Sequence, residues 1–270
     1  MVRRQGDALD RLIEVVSPGT ARTVLDCSCG IGTQALGLAA YGYSVTATDL
    51  SPDAVERARR EATALDVTSA FGVADFRRLE DEVEGQFDVV LSCDNSVAHL
   101  LTDDDLRLAA NSMHSKVRPG GLLLSIRDYD ALLAERPRAT PVQVYDGPDG
   151  EGQRAVFQVW EWEPDGRTYV MHQFILNQEG DDWRTTHLTT QLRAIPREDL
   201  TGILHEASFT DIAWHMPKDC GYYQPVVTAR DLTRLPWNRV PDNGSVSATC
   251  AYRGRDKKRV GFGRPITTCI

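Results

Sequence analysis

The sequence predicts an α/β fold, a mostly parallel sheet covered by helices on both faces, with a small antiparallel sheet inserted beside it. Three observations predict it. Strand and helix patterns alternate over the first 130 residues, as the crossover units of a parallel sheet require. The first strand runs into a glycine-bearing turn, Asp26-Cys27-Ser28-Cys29-Gly30-Ile31-Gly32-Thr33, the kind of loop that lets backbone approach a ligand closely. After Asp130 the pattern changes to strands rich in Val, Phe, Trp, Tyr and Thr.

In chain order, Leu9, Leu12, Ile13 and Val16 recur at helical spacing until Ser17-Pro18-Gly19 stops them. Thr23 to Cys27 is a short apolar strand, and Ser44 to Asp49 is a second. Ser51 then caps a helix that has Pro52 at its first position and Val55, Ala58, Ala62 and Leu65 on one face. Phe87 to Ser92 is a further strand. A helix with Leu106, Ala109, Met113 and Val117 leads through Pro119-Gly120-Gly121 into the strand Leu122 to Ile126. Residues 153–193 read as two or three antiparallel strands, with Pro164-Asp165-Gly166 turning between the first two. Helix signals return from Arg197 to Glu206, and Tyr222 to Ala229 reads as the last strand. The divisions expected are 1–130 for the core, 131–195 for the inserted sheet, 196–230 for the return to the core, and 231–270 for a basic tail.

Composition narrows the function. The chain has 270 residues, 41% hydrophobic and 26% charged, an ordinary globular balance. Such a length buries roughly 70–75% of the unfolded surface, so neither disulfides nor metals are needed for a core. The net charge of −9 argues against a sequence-independent grip on nucleic acid or anionic lipid. The tail from residue 231 carries eight Lys/Arg against three Asp, or +5, which leaves about −14 on the body. No signal-peptide core and no apolar run of membrane-spanning length is present. The six cysteines contain no C-x-x-C pair, so reduced thiols in a cytoplasm are expected and a zinc site is not.

Asp49 ends the second strand, where a carboxylate can accept hydrogen bonds from vicinal ribose hydroxyls. Asp75 follows the third strand, where it could meet an adenine amino group. Taken singly, a strand-end Asp is often a helix cap and a glycine turn is weak. Together, on successive strand ends, they point to a nucleoside site. Gly30-x-Gly32-x-x-Ala35 also satisfies the dinucleotide fingerprint. Asp26 counts against that reading, since a pyrophosphate would not sit beside an anion whereas a charged amino group would.

These motifs, with Pro119-Gly120-Gly121, resemble the class I S-adenosylmethionine-dependent methyltransferases. Further along, Cys93-Asp94-Asn95-Ser96-Val97-Ala98-His99-Leu100, Ile126-Arg127-Asp128-Tyr129-Asp130 and Tyr222-Tyr223-Gln224-Pro225 are similar to the glycine/sarcosine N-methyltransferases. The resemblance covers roughly residues 3–230. It implies a Rossmann-like sheet of seven strands, the last antiparallel, with the inserted sheet over the crevice. It implies S-adenosyl-L-methionine as cofactor, held by Arg4 (Arg3 as second choice), Asp26, Ser28, Gly30, Gly32, Asp49, Leu50, Asp75, Phe76 and Cys93. It implies that Asn95 and Arg127 hold the amino and carboxylate ends of an acceptor. Cys29 replaces a glycine of the wider class, as the betaine-forming bacterial branch does.

Physical chemistry points the same way for two of these. Asn95 and Arg127 each follow an apolar strand, at the carboxyl ends that form the ligand crevice, and a guanidinium fork suits a carboxylate. The plain alternative for Arg127 is an ion pair with Asp128. Tyr129 and Tyr223 are candidates for favouring a cationic transition state. His99 is either a substrate-orienting group or an ordinary histidine at a helix start. Trp160 and Trp162 share a face and read as core ahead of a cation box. As side chains, Cys27 and Cys93 read as buried thiols, and His172 and His187 have no partner evident in the sequence.

The expected enzyme methylates the amine of a small glycine- or sarcosine-like acceptor, with homo-oligomers and no nucleic-acid or membrane partner. The alternatives are a natural-product N- or C-methyltransferase acting on an indole or other ring, an NAD-dependent oxidoreductase, and a cofactor sensor without turnover. Family members carry an aromatic-rich lid before the first helix. This sequence starts at about that helix, so the lid is expected to be absent or replaced, with the basic tail as the substitute. The tail has no counterpart in the family.

Overall fold

The computed structural model describes residues 2–19, 21–147 and 152–231. The basic tail expected beyond Asp231, and its role as a lid, lie outside the described residues.

Apolar spacing and caps set the elements of the core. Helix α1 (Val2–Val16) turns Leu9, Leu12, Ile13 and Val16 inward. It is followed by β1 (Thr23–Asp26), α2 (Thr33–Ala40) and β2 (Ser44–Asp49). The Ser51 side chain accepts from the Ala54 N–H at 3.3 Å and caps α3 (Pro52–Ala64), where proline costs no hydrogen bond. Next come β3 (Ala70–Val73), α4 (Leu79–Glu82), β4 (Phe87–Ser92), a short 3-10 helix at Ser96–His99, and α5 (Asp103–Lys116). Strand β5 spans Val117–Ser125, so it includes Pro119-Gly120-Gly121 and starts earlier than the Leu122 expected from the sequence. The register against β4 slips there, from Phe87 opposite Val117 to Val89 opposite Gly121. The extra residues are taken up as a bulge.

The chain then forms α6 (Tyr129–Glu135) and four strands, β6 (Gln143–Asp146), β7 (Gln153–Trp162), β8 (Thr168–Glu179) and β9 (Asp182–Arg193). It returns through α7 (Arg197–Glu206), β10 (Thr210–His215), α8 (Pro217–Cys220) and β11 (Val226–Arg230). The main sheet has seven strands in the order β10-β11-β5-β4-β1-β2-β3. Strand β11 is antiparallel to both neighbours, and the other pairings are parallel. The second sheet is antiparallel in the order β6-β7-β8-β9. Strand β6 has no counterpart in the sequence reading. Its four residues are all exposed, so no buried face imprints an alternation on the sequence.

One apolar core joins Leu106 and Met113 of α5, Leu200 and Leu204 of α7, and Trp160, Tyr169 and Leu192 of the second sheet. A second core packs α1 and Leu38 of α2 on the other face. Helices α1 and α2 meet at glycine: a Cβ on Gly37 would lie 2.9 Å from the Val2 carbonyl and 3.2 Å from the Gly6 Cα. Cys27, Cys29, Cys93 and Cys220 are buried and unbridged. Among the described residues no helix is long and apolar enough to cross a membrane.

Candidate active site

The carboxyl ends of β1, β2, β4 and β5 open into one cavity of about 900 Å³, roofed by the second sheet. Ser28, Gly30, Asp49, Asn95, His99, Arg127 and Tyr223 all line it. The lining also includes Gln34, Asp94, Asp128, Met171, Gln173 and Leu188.

The turn after β1 is locked to β2, because the Gly30 N–H donates to Asp49 Oδ2 at 2.8 Å and the Ser51 N–H to Asp49 Oδ1 at 2.9 Å. Gly30 and Gly32 have φ of 51° and 93°, values that glycine adopts at least cost. Gly32 is the N-cap of α2. Asp26 lies under the turn, 1% exposed. Its Oδ1 accepts from the Ser28 N–H at 3.4 Å, while its Oδ2 is buried with no hydrogen-bond partner. Burial pushes its carboxyl up to about 8.

Asp94 and Asn95 follow β4 with consecutive positive φ of 59° and 71°, a conformation that Asn and Asp tolerate better than other side chains. Asn95 Oδ1 accepts from the Arg127 backbone N–H at 3.2 Å. The Arg127 guanidinium is held from the second sheet: it donates to Gln158 Oε1 at 3.2 Å and lies 5.2 Å from the Trp160 ring centroid. Gln158 also accepts from Trp160 Nε1 at 3.1 Å and donates to Gln173 at 2.8 Å. The Nε of Arg127 is buried without a partner, and no ion pair to Asp128 forms. Asp128 instead caps α6 through the Ala131 N–H. Trp160 is 4% exposed, so it is a core residue whose face also meets a cation.

The other predicted residues take different places. Tyr129 is fully buried, with its hydroxyl 3.1 Å from that of Tyr169. Cys93 is a buried thiol, raised by burial. Arg77 takes both oxygens of Asp75 at 2.7–3.1 Å and holds that carboxyl below its ordinary range. Phe76 packs against the main core, Leu50 is exposed, and Arg4 is exposed on α1. None of these six lines the cavity. Desolvation keeps the His99 imidazole below its ordinary value, with the Asp49 carboxylate pulling the other way. His172 and His187 find each other on the far face of the second sheet, with ring nitrogens 3.0 Å apart.

Sequence reading missed Gln34, Asp94, Gln158 and Gln173. A polar residue inside a strand pattern is the one signal that marked the last two.

Residues 24–121 match a methyltransferase domain. The chain is 34% identical over 145 residues to a glycine/sarcosine N-methyltransferase of Parasynechococcus marenigrum (strain WH8102), covering 53% of this chain and 51% of that protein. It is 25% identical over 213 residues to one of Aphanothece halophytica, covering 78% and 75%. The match thus spans about half the length of the first relative. Among solved structures the fold is similar to that of SAM-bound CalS10, an amino pentose methyltransferase from Micromonospora echinaspora. The TM-score is 0.69 at 19% identity, with 86% of this chain and 92% of that one covered. Residues 24–121 are thus a methyltransferase domain, and the fold around them is similar to that of an S-adenosylmethionine-dependent methyltransferase.

The residues present fit that class's cofactor. The cofactor's α-amino group is a cation, and Asp26, which lies beneath the cavity-lining turn and does not itself line the cavity, has a buried Oδ2 without a hydrogen-bond partner to accept from it. Asp49 lines the cavity with two hydrogen bonds made, which leaves lone pairs for hydroxyl donors.

Proposed function

We propose that this protein moves a methyl group from S-adenosylmethionine to the amine of a small acceptor that also carries a carboxylate, glycine and sarcosine being the simplest. The observation that carries this reading is the Arg127 guanidinium on the cavity wall. It is braced from behind by Gln158 and Trp160, and among the described residues no carboxylate lies within ion-pair distance of it. A planar fork held this way matches a carboxylate in two parallel hydrogen bonds. Two glycine/sarcosine N-methyltransferases among the relatives support the same acceptor class.

The bound cofactor would supply an electrophilic methyl group on a sulfonium. Asp26 would hold its amino group and Asp49 its ribose hydroxyls. Asn95, held against the backbone of Arg127, would orient the acceptor amine. A neutral amine is already nucleophilic, so position is the main contribution these side chains make. The hydroxyl oxygen of Tyr223 adds a dipole near the developing positive charge.

A second reading rests on the size of the cavity and on Leu132, Met171 and Leu188 along its wall. These favour a bulkier amine, such as an amino sugar or an indole amine. The deciding experiment follows S-adenosylhomocysteine formation with glycine, sarcosine, dimethylglycine, amino sugars and indole amines. Turnover of glycine or sarcosine is expected. Turnover confined to uncharged ring amines would overturn the amino-acid reading.

A further inference from the structure

We propose that Asp94 anchors the acceptor's ammonium group, so that Asp94 and Arg127 together make the cavity wall a two-pole cradle for a zwitterion. This inference rests on the amino-acid reading above and adds the residue that recognises the amine's charge.

Three observations carry it. First, Asp94 is exposed to the cavity that Asn95 and Arg127 line. Second, its carboxylate is fixed by neutral donors alone: the Tyr222 and Tyr223 hydroxyls reach Oδ1, each at 2.7 Å, and Gln34 Nε2 reaches Oδ2 at 2.7 Å. Burial raises both tyrosines, so they stay protonated and donating. Third, no cationic side chain among the described residues pairs with Asp94 within ion-pair distance, so its charge faces the cavity uncompensated. Tyr223 senses both poles, since Asp94 raises its hydroxyl while Arg127 lowers it.

The chemistry balances without another reactant. The bound ammonium sheds a proton to water, and its nitrogen lone pair then takes the methyl group as the methyl–sulfur bond breaks. The positive charge that leaves sulfur comes to rest on nitrogen beside Asp94. An anion at that point strengthens its interaction as the charge develops.

The test is calorimetric binding in the presence of S-adenosylhomocysteine, comparing glycine with glycolate and sarcosine with methoxyacetate. Each pair differs only in replacing the charged nitrogen by oxygen. The wild type should prefer the amine, and Asp94→Asn should shrink that preference by roughly tenfold or more while leaving S-adenosylhomocysteine affinity unchanged. Asp94→Gly, which relieves the backbone, should do the same and serves if the asparagine variant does not fold. If the wild type binds neither amino acid, the amino-acid reading falls and this inference with it. If the wild type binds them and both variants keep the full preference, the inference alone is overturned. If the variants lose S-adenosylhomocysteine affinity instead of the preference, Asp94 serves the cofactor and the inference is likewise overturned.

Discussion

The side chain of Asn95 accepts a hydrogen bond from the backbone N–H of Arg127 at 3.2 Å. The residues that follow two neighbouring parallel strands are thereby clamped together, and the two groups assigned to the acceptor share one rigid edge.

Removing the guanidinium should therefore cost binding more than shape. Arg127→Ala is expected to raise the KM of a carboxylate-bearing acceptor by roughly a hundredfold, the order seen when one member of a desolvated charge pair is truncated. The methyl ester of the same acceptor should be a poor substrate for the wild type and nearly indifferent to the substitution. An equal loss for acid and ester would argue that Arg127 serves structure.

Asp26 should make stability and S-adenosylhomocysteine affinity depend on pH. Its carboxyl sits at about 8 in the folded chain, against an ordinary 3.8. Between those values the folded form keeps a proton that the unfolded chain has lost, so this group's contribution to stability falls as pH rises from about 4 to about 8. A cationic amino group pairs with the ionised form, so S-adenosylhomocysteine should bind more tightly as pH rises through the same window. Melting curves with and without S-adenosylhomocysteine, from about pH 5 to about pH 8, should show both trends in the wild type. Asp26→Asn should flatten them, and identical slopes in the two proteins would contradict the assignment.

Tyr129 acts from behind the cavity wall. Tyr129→Phe leaves the buried Tyr169 hydroxyl without its partner at 3.1 Å, a loss of about 1–2 kcal/mol. Thermal melts should show this destabilisation, with a smaller effect on acceptor KM than Arg127→Ala. An unchanged melt with a collapsed rate would instead put the Tyr129 hydroxyl in contact with the acceptor.

The junction of the first two helices has no room for a methyl group. Gly37→Ala would press its Cβ to 2.9 Å from the Val2 carbonyl, and overpacking of this kind costs roughly 1–3 kcal/mol. The melting temperature should drop by a few degrees. No drop would mean that α1 shifts freely on α2.

The parts legible in the sequence were those written locally. The apolar run of β4, the Ser51-Pro52 start of α3 and the positive-φ glycines of the turn each carry their structure within a few residues. The parts that were not legible depend on register. Gln158 meets Gln173 because the two are paired across β7 and β8, and the two far-face histidines meet because His187 lies opposite Phe174, next to His172. Nothing along the chain states those offsets. Asp94 went unread for another reason. It precedes an asparagine that already explained the motif, and its meaning comes from Tyr222 and Tyr223, which lie 128 and 129 residues away.

The brace on Arg127 divides the work of the molecule between its two sheets. The glycine turn is built from β1 and β2 of the large sheet, while the guanidinium's support comes from Gln158 and Trp160 of the small one. On the proposed assignment, substitutions at Gln158 and Gln173 of β7 and β8 would tilt or neutralise the Arg127 pole from a sheet other than the one that carries the glycine turn. If Arg127 holds the acceptor's carboxylate as proposed, the fit to acceptors of different charge would be set largely from the small sheet.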